Sequence, residues 1–144
     1  MMSKLLLPVD GSDSALHAVK HAIQLAKGQA DAKVNLLYVH YEPVRFGAVA
    51  PTVTPEQMKE IEQQAAGSVF GEPEKLLREA GVGFEHEVRA GRDVAPVIAR
   101  RAEELGCDAI VMGSHGGGSL AHMLLGSTAT KVAQLAKVPV TLVK

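Results

Sequence analysis

"KLLLPVDGSDSALHAVKHAIQLAKG" runs from Lys4 to Gly28 and changes its hydrophobic period once. Lys4 to Asp10 is short and continuously apolar, the pattern of a strand buried on both faces. From Ser12 onward, Ala15, Ala18, Val19, Ala22, Ile23 and Ala26 recur at helical spacing, and Gly28 stands where that helix would stop. A strand buried on both faces and followed at once by an amphipathic helix is the opening of a βαβ unit. It predicts a parallel sheet covered by helices.

The chain continues in the same way. "VNLLYVH" (Val34 to His40) reads as a second buried strand, and "YEPVRFGAVAPTV" (Tyr41 to Val53) as a long connection without periodicity, long enough to form a lid. Thr54 is placed to cap a helix, with Pro55 at its first position and Gln57 completing a capping box. That helix is predicted to reach Ala80 and stop at Gly81, with a kink or break near Gly71 to Pro73. "VGFEHEVRAG" (Val82 to Gly91) alternates Val82, Phe84, His86 and Val88, the mark of a more exposed edge strand. A helix over Asp93 to Gly106, a fourth strand and turn over Cys107 to Gly116, a loop and helix over Ser119 to Lys137, and a strand over Val138 to Lys144 complete the order βαβαβαβαβ. Right-handed crossovers then give an α/β fold: one doubly wound parallel sheet of five strands, helices on both faces, a single domain over residues 1–144.

Composition narrows the function. The chain has 144 residues, 47% of them hydrophobic, only 3% aromatic, no Trp, and a net charge of −1. Scattered basic residues and scarce aromatics argue against nucleic acid and membrane surfaces as partners. Cys107 is alone, so no internal disulfide forms. "LLLPV" is too short for a signal peptide and no stretch has the apolar length of a membrane span, so a cytoplasmic protein is expected. His17, His21, His40 and His86 lack metal-ligand partners at usable spacing. Cys107 is expected to be buried and inert, Arg100, Arg101, Glu103 and Glu104 to form a solvated helix face, and Met58, Met112 and Met123 to pack.

Glycines then point to a site. Gly113, Gly116, Gly117 and Gly118 lie at the end of the fourth strand, and Gly126 stands just before Ser127 and Thr128. In a parallel α/β sheet, ligands bind beyond the carboxyl ends of the strands, where strand order reverses. Asp10 and Gly113 both end strands. If those strands are neighbours, their tips share one crevice. Glycine lets backbone N–H groups approach a phosphate closely, and Gly126-Ser127-Thr128 suits a helix N-terminus, which adds free N–H groups and a favourable dipole. No Gly-Lys-Ser/Thr occurs, and no G-x-G-x-x-G follows the first strand, so neither a Walker loop nor a dinucleotide fingerprint is present.

The spacing Gly113-x2-Gly116-x9-Gly126-Ser127 resembles the ATP-binding signature of the universal stress protein family. "LLLPVDGS", "LLYVH" and "VPVTLV" extend the resemblance over the whole chain. It implies strand order 3-2-1-4-5 and a homodimer that pairs the last strand, Val138 to Val143. It implies ATP or another adenine nucleotide as ligand, with Mg²⁺. By matching positions, Pro8, Val9 and Asp10 would line the adenosine pocket, with Asp10 near the ribose and metal. Val39 would meet adenine through its backbone. Met112, Gly113, His115 and Gly116 would follow ribose and phosphates, and Gly126, Ser127 and Thr128 would close on the phosphates. Two positions depart from the family pattern: Gly117 replaces a basic residue, and Thr128 replaces Val.

The resulting expectation is an ATP-binding stress or signalling module with at most slow hydrolysis, because no general base or transition-state arginine is assigned. Two alternatives stand beside it. "VDGSDSA" loosely resembles the loop of ATP pyrophosphatases, which adenylate substrates. A nucleotide-independent dimeric interaction module is the other. His122 is expected to be solvated.

Overall fold

Leu5, Leu6 and Leu7 are 1%, 0% and 0% exposed, so the first strand is buried on both faces, as its unbroken apolar run requires. A computed structural model describes residues 3–42, 53–114 and 126–144. In chain order the elements are β1 (Lys4–Pro8), α1 (Asp13–Ala26), β2 (Lys33–Tyr41), α2 (Pro55–Ser68), α3 (Gly71–Glu79), β3 (Gly83–Gly91), α4 (Val94–Leu105), β4 (Ala109–Gly113), α5 (Ser127–Leu135) and β5 (Val140–Val143). The strands form one parallel sheet in the order β3-β2-β1-β4-β5. This is the α/β doubly wound fold expected from the alternation of strands and helices, with β3 at one edge and β5 at the other.

Alternation along β1 divides the core into two layers. Leu5 and Leu7 pack with Val34, Leu36 and Val111 beneath α1 and α3, where Ala18, Val19, Ala22 and Leu77 are buried. Leu6 points the other way, with Leu37, Ile110 and Met112, under Ile98 and Ala102 of α4 and Ala129 and Val132 of α5. Each fully buried leucine contributes about 1.5–3 kcal/mol.

Helix termini follow local chemistry. Ser12 caps α1, its hydroxyl accepting from Ala15 N–H at 3.2 Å. Thr54 and Gln57 form the predicted capping box at α2, with Pro55 first in the helix. Gly81 and Gly106 end α3 and α4 at φ 72° and 67°, a left-handed backbone that glycine adopts without strain.

The break expected near Gly71 to Pro73 is present: the stretch forms two helices, and the turn between them falls at Val69–Phe70, just ahead of Gly71. Ala65 C=O accepts from both Val69 and Phe70 N–H, and the chain turns so that the Phe70 ring is fully buried. That ring stacks on His86 with centroids 4.5 Å apart, and His86 Nδ1 meets Glu74 Oε2 at 2.5 Å. Pro73 sits in the first turn of α3, where no helical N–H bond is lost. One expectation is corrected: Arg101 is not a solvated residue. Its side chain is 19% exposed, and its Nε donates to Glu87 Oε1 of β3 at 2.5 Å. The Glu87 carboxylate raises the guanidinium pKa further.

Cys107 is buried as expected, and burial pushes its thiol pKa up, away from reactivity. Met112 is buried and Met58 half-buried, while Met123 and His122 lie outside the described residues. Among the described residues, no helix is long and apolar enough to cross a membrane.

Candidate functional site

β1 pairs with β2 along its whole length, from Lys4↔Lys33 to Pro8↔Leu37, but with β4 only at Leu5↔Ala109 and Leu6↔Ile110. β4 continues to Gly113, paired on its other side with β5. The two central strands therefore part above Leu6 and Ile110. A crevice opens there at the carboxyl ends, where strand order reverses, which is the ligand position of this architecture.

On the β1 lip, Pro8 is half-buried and Val9 is buried, its N–H donating to Leu37 C=O at 2.9 Å. Asp10 is exposed, and its Oδ1 accepts from Ser12 N–H at 3.0 Å. Asp10 thus holds the turn that starts α1, and Gly11 supplies the φ of 85° which that turn needs. Among the described residues, Oδ2 takes no hydrogen bond. His17 is exposed and His21 half-buried, and among the described residues no group of three or more His, Cys, Asp or Glu could hold a metal ion unaided.

Val39 is oriented by the period of two along β2. Lys33 N–H donates to Ser3 C=O, and Leu37 C=O accepts from Val9 N–H. Residues 33, 35, 37 and 39 therefore turn their backbone groups towards β1. At Val39, β1 has already ended, so its N–H and C=O edge faces the crevice, while its side chain packs under α4.

On the β4 lip, Met112 is buried and Gly113 meets α1 closely. A Cβ on Gly113 would lie 2.2 Å from Ser14 Oγ and 2.9 Å from both Ser14 C and O. This glycine lets a helix, rather than only a ligand, come close. Ser114 N–H donates to Val143 C=O at 2.8 Å, and Gly126 N–H donates to Ser114 C=O at 2.7 Å. The chain thus returns Gly126 to the end of β4. His115 and Gly116, and the residues up to 125, lie outside the described residues.

Gly126 is the N-cap of α5, with Ser127 and Thr128 the first helical residues. Among the described residues no side chain caps this helix, as at α3 and α4 and in contrast to α1 and α2, which leaves its leading N–H groups open to another acceptor. Gly126 has φ −62°, so it is not there for a left-handed backbone. α4 begins beside α5. Its N-cap Asp93 makes no capping bond, and its Oδ2 instead accepts from Lys131 Nζ at 2.7 Å. Asp93, Ser127, Thr128, Thr130, Lys131 and Gln134 line a shallow open cavity. Sequence reading missed Asp93 and Lys131. The signal for Lys131 was its position three and four residues after Thr128 and Ser127, on one helix face.

The structure thus gathers Pro8, Val9, Asp10, Val39, Met112, Gly113, Gly126, Ser127 and Thr128 around the carboxyl end of the sheet. It pairs His40 Nδ1 with Tyr38 Oη at 3.4 Å and His86 Nδ1 with Glu74 Oε2 at 2.5 Å.

A parallel five-stranded sheet of order 3-2-1-4-5, reversing its strand order at β1 and β4, defines a doubly wound α/β domain. The model of the universal stress protein family matches residues 1–144. The chain belongs to that family. A universal stress protein of Methanocaldococcus jannaschii is 35% identical over 144 residues, covering 100% of this chain and 83% of its own. Among solved structures, a hypothetical protein of the same organism, whose biochemical function was assigned from its structure, superposes with a TM-score of 0.79 at 28% identity, covering 100% of this chain and 96% of its own. A universal stress protein solved in complex with cAMP superposes with a TM-score of 0.66 at 25% identity, covering 99% and 97%.

Proposed function

We propose that this universal stress protein binds an adenine nucleotide, ATP with Mg²⁺, in the crevice between β1 and β4. The observation that carries the reading is the return of Gly126 to the end of β4, which sets the uncapped start of α5 beside the parting strands. In this reading the backbone edge of Val39 meets adenine. Pro8, Val9 and Asp10 line the adenosine half, and Met112 and Gly113 flank the ribose. The α5 N–H groups with Ser127 and Thr128 hold phosphate, joined by His115 and Gly116. Asp10 Oδ2 faces the metal shell. The relative solved with cAMP supports an adenine ligand for this fold and family.

The role is binding, with hydrolysis slow at most, in a cytoplasmic stress-response or signalling module. β5, Val140–Val143, is half-buried at the sheet edge, and we propose that two copies pair there in a dimer. Titration calorimetry on nucleotide-free protein tests the ligand. One ATP per chain, tightened by Mg²⁺, supports the reading. No heat with ATP, AMP or cAMP overturns it and favours an interaction module. A monomer in sedimentation at micromolar concentration would overturn the β5 dimer.

A further inference from the structure

We infer that Lys131 is the side-chain cation that selects nucleotides with more than one phosphate, and that Asp93 holds it when no phosphate is bound. This deepens the nucleotide reading above and rests on it.

The argument starts from charge. Pro8, Val9, Asp10, Val39, Met112, Gly113, Gly126, Ser127 and Thr128 include no Lys or Arg, and neither does the stretch from His115 to Leu125. Asp10 adds a negative charge. A monophosphate can be held by helix N–H groups and hydroxyls alone. A triphosphate brings two further phosphates and about two more negative charges; one Mg²⁺ balances that charge, but the added phosphate oxygens still need donors beyond the first turn of α5, and none of these residues offers a cationic one.

Lys131 lies where that deficit falls. It shares the cavity along α5 with Ser127 and Thr128, one helical turn downstream of them on the same face. Its long stem can swing over that distance, and its ammonium is a strong donor to phosphate oxygens. Its present partner, Asp93 Oδ2 at 2.7 Å, is a half-exposed carboxylate on another helix. Side-chain exposures of 54% for Lys131 and 51% for Asp93 make this a weak, exchangeable pair. A phosphate arriving at the start of α5 competes with Asp93 for the same ammonium and repels the Asp93 carboxylate. Exchange of partner thus costs little and is driven by the extra phosphates.

The test compares ATP with AMP, both with Mg²⁺, by calorimetry on the full chain as wild type, Lys131→Gln and Asp93→Asn. Asn caps a helix as well as Asp, and the ion pair is exposed, so both variants keep the fold. Thermal unfolding confirms this. Lys131→Gln is expected to weaken ATP roughly tenfold and leave AMP unchanged. Asp93→Asn is expected to tighten ATP a few-fold, about two to five, by freeing Lys131. An ATP-to-AMP affinity ratio in Lys131→Gln equal to wild type overturns the assignment while leaving the nucleotide reading intact. Equal loss of both nucleotides also overturns it. Wild-type protein that binds neither nucleotide overturns the reading itself, and this assignment with it.

Discussion

Gly113 and Ser14 are packed so closely that no side chain fits between them. A Cβ at 113 would stand 2.2 Å from the Ser14 hydroxyl and 2.9 Å from its backbone. The glycine that ends β4 therefore sets how near α1 lies to the sheet, and through α1 the position of the Asp10 turn.

Gly113→Ala is expected to destabilise the fold by about 1–3 kcal/mol, because the Ser14 backbone cannot move aside as a flexible side chain would. Chemical denaturation measures this. Loss of nucleotide binding in this variant would not identify a phosphate contact. Gly126→Ala is the cleaner probe, since φ −62° is open to any residue. A Gly113→Ala protein as stable as wild type would refute the packing role.

Thr54→Ala is expected to cost about 1 kcal/mol, since the capping box gives Gln57 N–H and Thr54 N–H their partners. The loss falls on α2, so amide exchange should rise in its first turn. Unchanged protection there would mean that the box contributes nothing to helix stability.

Asp108 should set part of the acid limit. Its Oδ2 accepts from Lys4 N–H at 2.9 Å, Ser3 N–H at 3.1 Å and Ser3 Oγ at 3.2 Å. These bonds, the one from Lys4 foremost, hold its pKa below the ordinary 3.8. A lowered folded pKa adds stability that is complete above the unfolded value and is lost as pH falls through the folded one. Asp108→Asn should be less stable than wild type near pH 7, and the gap should close below about pH 4. A gap that stays constant with pH would exclude the linkage.

Arg101 and Glu87 tie α4 to the edge strand β3, and Arg101 Nη1 also reaches Glu104 Oε1 at 3.6 Å. A double-mutant cycle with Arg101→Gln and Glu87→Gln is expected to give a coupling of about 0.5–1.5 kcal/mol, reduced in high salt. Coupling indistinguishable from zero would return Arg101 to the class of solvated surface residues.

What could be read from sequence was what local chemistry decides. The Thr54-Pro55-Gln57 start, the stops at Gly28 and Gly81, and the alternation of strands and helices all follow from neighbours within a few residues, whereas the strand order 3-2-1-4-5 came from the family resemblance. The helix break lies just ahead of the expected Gly71 to Pro73, because its cause is tertiary: Phe70 leaves the helix to lie against His86, sixteen positions on by chain. Arg101 was misread because Glu87 belongs to another element. Gly113 was read for a ligand alone because the approach of Ser14, across the sheet, has no sequence signature. Lys131 went unnoticed because its partner Asp93 lies thirty-eight positions away.

The short ladder between β1 and β4 carries one more implication. Chain order and sheet order divide at the same place: residues up to Gly91 build β1, β2 and β3, and the remainder builds β4 and β5. Two register pairs, Leu5↔Ala109 and Leu6↔Ile110, join these halves within the sheet. A chain cut between Gly91 and Asp93 would yield two fragments with few strand bonds to reunite them. A molecule seated in the crevice would touch both, acting as a clasp across the seam, and fragment reassembly would then report its presence.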